Sequence, residues 1–126
     1  MKATTVLQPD PGSARAAREF VTAPLRAHAR AGWPSTDLLD TAALLTSEVV
    51  TNAITHARSS VCLSVHLTDD RVRVVVRDRS GVHPEWRPGG QNGYSGRGLL
   101  LLERLATSWG VDPVAKGKAV WFELSR

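Results

Sequence analysis

Between Val61 and Val76 two series of aliphatic residues recur at every second position: Val61, Leu63, Val65 and Leu67, then Val72, Val74 and Val76. Such alternation places them all on one face of a pleated pair of strands. Thr68-Asp69-Asp70 separates the two runs and supplies the turn, so the segment reads as an antiparallel hairpin. A sheet that is apolar on one side must be covered there, and the preceding sequence offers helices that can do so. Ser13 can cap a helix running to about Arg30, with Phe20, Val21, Leu25 and Ala29 on its inner side and Pro24 as a kink or local break. After the connector Gly32-Trp33-Pro34, Ser35 or Thr36 caps a second helix reaching about Ala57. Leu38, Ala42, Leu45, Val49 and Ala53 form its apolar stripe.

Residues 3–8 suit a short edge strand ended by Pro9 and Pro11. Leu99 to Ala106 reads as a buried helix, and Trp109 to Val111 and Val120 to Leu124 as closing strands. Gly81 to Gly98 is rich in Gly and Pro and has no period, and a loop this long in a compact domain is usually functional. The order of elements predicts an α+β two-layer sandwich, its mixed sheet mainly antiparallel and its helices on one face. A length of 126 residues fits one domain, 1–126, with a single core.

Composition narrows the function classes. A chain 42% hydrophobic and 22% charged is ordinary for a soluble globular protein. No apolar run approaches the roughly 18–20 residues that span a bilayer. The start MKATTVLQPD has no signal-peptide apolar region, which predicts a cytoplasmic protein. Cys62 is the one cysteine, so internal disulfides and multi-cysteine zinc sites are excluded, and its strand context predicts a small packed thiol. The net charge of +4 raises nucleic-acid binding, yet the thirteen arginines form no compact cluster. No helix-turn-helix, zinc-finger or aromatic stacking signature accompanies them.

The chemistry-bearing positions begin in SEVVTNAITHA, residues 47–57, where Glu48, Asn52 and His56 recur every fourth place. That spacing stacks them along one helix face, at the border of the apolar stripe. Two readings stand for Glu48 and Asn52: surface residues at the helix flank, or the wall of a pocket. As a pocket wall, Asn offers a neutral oxygen to a hard cation such as Mg²⁺, which takes few protein ligands beside phosphates and water. Glu one turn away can accept a proton from a hydroxyl attacking a phosphoryl group. His56 reads as a packing or hydrogen-bonding residue at the helix end.

Asp78 follows RVRVVV and opens DRSG. It reads either as turn chemistry or as a buried carboxylate accepting a hydrogen bond from an exocyclic amine such as adenine's. Guanine would set a carbonyl there and leave the acid unpaired, at about 1–3 kcal/mol. In GYSGRGLLLLERLA, residues 93–106, Gly96 and Gly98 stand at a helix start, where bare amides and the helix dipole favour an anion. The chain has no Walker A motif, Leu101 replaces the third Gly of a Rossmann fingerprint, and Ser95 does not fit a nucleophile elbow.

Taken in order, these motifs resemble the GHKL superfamily (the Bergerat fold), which includes gyrase, histidine-kinase and mismatch-repair ATPase domains. Within it, SEVVTNAITHA, VVVRDRSG, GRGLLLLERLA and GKAVWFEL look like the bacterial anti-sigma factor serine/threonine kinases, over about residues 3–125. The resemblance implies that Asn52 holds Mg²⁺ on the phosphates of ATP and that Glu48 is the catalytic base. It implies that Asp78 binds the adenine amine, with Gly81 shaping the adjacent turn. Gly96, Arg97 and Gly98 would cradle phosphates at the base of a mobile lid of about residues 82–96. Implied partners are a sigma factor and a STAS-domain anti-sigma factor antagonist phosphorylated on serine, with the kinase usually a homodimer.

Two departures accompany the resemblance. The family commonly has Asp-x-Gly-x-Gly where this chain has Asp78-Arg79-Ser80-Gly81. A Thr on the last strand commonly reaches the adenine through water, and Ala119 occupies the nearest matching place. Besides the kinase, the sequence admits a nucleotide-gated binding module that transfers no phosphate, and a basic nucleic-acid-binding domain. Glu48 beside Asn52 favours the kinase, since a pure binder can dispense with a base.

Overall fold

The computed structural model describes residues 1–78 and 96–126. Residues 79–95 lie outside the described residues, and with them Gly81 and nearly all of the lid expected at about 82–96. The elements run β1 (Lys2–Leu7), α1 (Ser13–Ala27), α2 (Thr36–Ala57), β2 (Val61–Leu67), β3 (Arg71–Asp78), α3 (Gly96–Leu105), β4 (Ser108–Val114) and β5 (Gly117–Ser125). The strands lie side by side in the order β1-β2-β3-β5-β4. Every ladder among the described residues is antiparallel, so the α+β sandwich is as expected while its sheet is not mixed.

The alternation that predicts the hairpin also builds the core. Val61, Leu63, Val65, Val72, Val74 and Val76 are all buried on the helix side, joined by Val120, Phe122 and Leu124 of β5. Across from them lie Ala17, Val21 and Leu25 of α1 and a broad face of α2. Because α2 packs against α1, the sheet and α3, its buried surface extends beyond the predicted stripe to Leu39, Thr46 and Val50. The turn at 68–70 closes as predicted, with the Thr68 amide donating to the Arg71 carbonyl at 2.9 Å.

Local chemistry moves several boundaries. Ser13 does not cap α1 but begins it after Gly12, and its hydroxyl donates to the Gln8 carbonyl and to Asp10 Oδ1, tying the incoming loop to the helix. The helix runs through Pro24 and stops at Ala27, which leaves Ala29 beyond it and exposed. At α2 the cap is Ser35, whose Oγ accepts from the Leu38 amide at 3.2 Å. α3 is less buried than its leucines predict, because among the described residues it is packed on one side: Leu102 is buried while Leu100 and Leu105 are exposed. No helix among the described residues is long and apolar enough to cross a membrane.

No described helix covers the opposite face of the sheet. Cys62 points to it between Val6 and Arg77 and is half-buried, so the thiol is not a core group. Trp121 lies across Gly110 on this face, and the Arg73 guanidinium stands 4.4 Å from the centre of its ring system. Glu123 ties three strands together: Ser108 Oγ donates to it at 3.1 Å, and Arg71 and Arg73 each approach at 3.3 Å. Burial alone pushes this carboxyl up, but the hydrogen bonds from Ser108, Arg71 and Arg73 outweigh it and hold the group below its ordinary value. A depressed carboxylate stabilises the fold above its unfolded-state value, and that contribution is lost as pH falls through the folded-state value. Glu123→Gln is therefore expected to cost about 1 kcal/mol near neutral pH and progressively less in acid. Urea denaturation of both proteins across that range checks it.

Candidate functional site

Glu48 and Asn52 lie one turn apart in the C-terminal half of α2. Asn52 is only 7% exposed, and its Nδ2 has no hydrogen-bond partner among the described residues. An orphaned buried amide costs on the order of 1–3 kcal/mol. Glu48 is more open, with a side chain 20% exposed, and its Oε1 meets Arg97 Nη2 at 3.1 Å. Arg97 is the second residue of α3, so this ion pair brings the Gly-x-Gly segment against α2. Gly98, next along, is buried. His56 is exposed in the last turn of α2, so of the two expected roles, packing or hydrogen bonding, it does not fill the first.

A second cluster forms at the end of β3. The chain leaves α2 through Arg58 in a left-handed conformation, φ 53°, whose amide donates to the Ile54 carbonyl at 3.1 Å. Ser59 and Ser60 then lead into Val61, which pairs with Asp78. The C-terminal end of α2 and the end of β3 are thereby neighbours. Asp78 is 3% exposed, and its Oδ2 stands 3.5 Å from Nζ of Lys118, itself almost wholly buried.

Strand alternation explains why Lys118 is there. Val120, Phe122 and Leu124 point to the helix side, so Lys118 does as well. Ala119, the position that matches the family's Thr, pairs with Arg77 and Asp112 in the outward row. Gly117 is the other member of the cluster. Its φ is +144°, and a Cβ there would collide with the Asp78 carboxylate and lie 2.9 Å from the Asp78 carbonyl oxygen. Only glycine permits both that backbone and that approach. A cavity of about 450 Å³ opens beside Asp78, lined also by Arg77, Val114, Ala115 and Lys116, a volume in the range of small-molecule pockets.

The structure thus holds a buried amide beside a carboxylate–guanidinium pair, and a buried carboxylate beside an ammonium. A model of the histidine kinase-like ATPase domain matches residues 7–124 of this sequence, from the end of β1 into β5. The chain belongs to that family. A search of curated proteins gave no match. Membership makes this an ATP-binding domain. The orphaned Asn52 amide fits a phosphate-bearing ligand with either pole: its oxygen to a cation, its NH₂ to a phosphate oxygen.

Lys118 and Gly117 are the residues that motif reading passes over. The signal for both is period two, because counting back from Leu124 by twos ends on Lys118 and leaves the preceding glycine at the strand start. Gly117→Ala in this ATPase domain is expected to cost on the order of 1–3 kcal/mol from the strained φ and the displaced Asp78. Chemical denaturation measures it, and Gly12→Ala, where an added Cβ meets nothing closer than 3.5 Å, is the mild control.

Proposed function

We propose that this protein is an ATP-dependent serine/threonine kinase of the anti-sigma factor type, acting through a single domain over residues 1–126. The observation that carries the reading is Asn52: a buried amide whose Nδ2 has no hydrogen-bond partner among the described residues, one turn from a carboxylate that α3 reaches with a guanidinium. Most buried polar groups in folded proteins are satisfied, and an exception calls for an explanation such as a ligand or ion; Thr46 Oγ1 is the other such atom among the described residues.

In this reading the Asn52 amide oxygen holds Mg²⁺, which when bound neutralises charge on the phosphates of ATP. Among the described residues no cluster of three or more carboxylate, imidazole or thiol groups could hold a metal. The ion would then draw its remaining ligands from phosphate and water, as Mg²⁺ commonly does. Asp78 accepts a hydrogen bond from the adenine amine, and Gly81 shapes the turn beyond it. The amides of Gly96, Arg97 and Gly98 meet phosphate oxygens at the start of α3, where the helix dipole favours negative charge. The lid of about residues 82–96 belongs to the same proposal.

Glu48 serves as base. It takes the proton from a serine hydroxyl of the protein substrate while that oxygen bonds to the γ-phosphorus; the bond to the β-phosphate oxygen breaks, and ADP leaves. Arg97, with a side chain 72% exposed, has the freedom to leave Glu48 for a phosphate oxygen as ATP arrives. The substrate is a STAS-domain antagonist, with a sigma factor as the alternative partner, in the cytoplasm and as a homodimer. The Arg97–Glu48 pair also supports a second reading, in which the base stays engaged and ATP only gates partner binding.

Mg-ATP is expected to raise the thermal midpoint more than Mg-GTP; a ligand at a hundredfold excess over its Kd adds about 2.7 kcal/mol. Asn52→Ala should remove most of that gain, and equal shifts with both nucleotides would sink the adenine role of Asp78. Glu48→Ala should still bind ATP but no longer move labelled phosphate to a STAS-domain protein. Transfer that survives this change rules out Glu48 as the base, and a wild type that binds without transfer supports the gating reading.

A further inference from the structure

A second cavity, of about 370 Å³, takes no part in the chemistry above. His28 and Arg30 line it from the α1–α2 connection, Asp69 from the hairpin turn and Arg126 from just beyond β5, with Trp33 and Leu67 as its buried members. It lies at the other end of the sheet from the nucleotide site: β3 starts just after this turn and reaches Asp78 about 23 Å further on.

The local chain places two guanidinium groups at this cavity. Arg30-Ala31-Gly32-Trp33 is a two-residue hairpin, in which the Arg30 amide donates to the Trp33 carbonyl at 2.8 Å and the Trp33 amide to the Arg30 carbonyl at 3.1 Å. Ala31 and Gly32 have φ of 54° and 78°, as such a turn requires. Directly opposed residues of a hairpin share a face, so Arg30 stands beside Trp33. Trp33 is itself fixed, because its Nε1 donates to the Thr68 carbonyl at 2.8 Å. The Arg126 guanidinium stands 5.7 Å from the centre of that ring, and its Nη1 donates to the Asp69 carbonyl at 3.3 Å. Its remaining N–H donors are unspent among the described residues, as are those of Arg30.

We propose that this cavity binds a small organic carboxylate, held by Arg30 and Arg126 with its apolar body against Trp33 and Leu67. Two arginines against Asp69 leave one positive side-chain charge at the wall, which suits a monoanion. A phosphate ester carries about −1.5 to −2 near neutral pH and would meet Asp69 with excess negative charge. Guanidinium groups also match carboxylates in shape, through paired N–H bonds. The volume is at the low end for ligand cavities, so the occupant is the size of benzoate or butyrate.

The competing account is a solvated crevice with two surface arginines. The chain has four tryptophans, so ¹⁵N-indole labelling of the full chain gives a readout at the wall, and Trp33→Phe identifies the signal. Sodium benzoate at constant ionic strength should move the Trp33 signal saturably, in roughly the millimolar range for a ligand this small. Inorganic phosphate should bind more weakly. Arg30→Gln and Arg126→Gln should each weaken benzoate roughly tenfold, the size of a lost charge-assisted hydrogen bond; both side chains are exposed, so the fold tolerates either change. Asn52→Ala, at the nucleotide site, should leave the benzoate curve as it is. A Trp33 signal that does not saturate overturns the proposal, as does a shift that both arginine variants retain in full. Loss of the shift in Asn52→Ala places benzoate in the nucleotide site and overturns it as well. Phosphate binding tighter than benzoate overturns the carboxylate assignment.

Discussion

The burial of α2 is the constraint on which the other features depend. Helix α1 lies on one side of it, the sheet on another, and α3 along a third. Leu45, Val49, Val50 and Ala53 are enclosed as a result, and each large aliphatic side chain contributes about 1.5–3 kcal/mol by leaving water. That gain exceeds the roughly 1–3 kcal/mol cost of one unpaired amide. The packing therefore holds Asn52 in place with its Nδ2 unsatisfied among the described residues. Glu48 occupies the seam between α2 and α3, where Arg97 can reach it.

The Asp78 cluster depends on register instead of helix packing. Val61 opposite Asp78 and Arg77 opposite Ala119 set which side chains at this end of the sheet face inward. A slip of one residue in β5 would exchange the two rows. Lys118 would then point to the open face and Ala119 to the Asp78 side. Gly117 resists that slip, because only a residue without a Cβ can sit against the Asp78 carboxylate. One glycine thus supports both the strand start and the placement of a charged pair.

Much of this was legible in the chain. The hairpin, the two long helices and the closing strands follow from period, caps and turn residues, which are local properties. Glu48, Asn52 and Asp78 stand out as polar groups where the pattern calls for burial. The misreadings are local signals overruled by neighbours. Ser13 has the chemistry of a cap, but Gln8 and Asp10 engage its hydroxyl. The leucines of α3 promise a fully buried helix, but among the described residues nothing packs against one side of it, and Leu100 and Leu105 are exposed. Cys62 sits in an alternating run on its outward phase, which periodicity shows only once the inward phase is known.

By itself the sequence determined the elements, their order and the residues able to do chemistry, because each depends on side-chain type and spacing along one segment. Only the tertiary structure decided which of them meet. Arg97 reaches Glu48 because α3 docks on α2, and Lys118 meets Asp78 because β5 pairs with β3 in one register. Both contacts join residues far apart in the chain, and the distances between them follow from packing and ladder geometry that no single segment encodes.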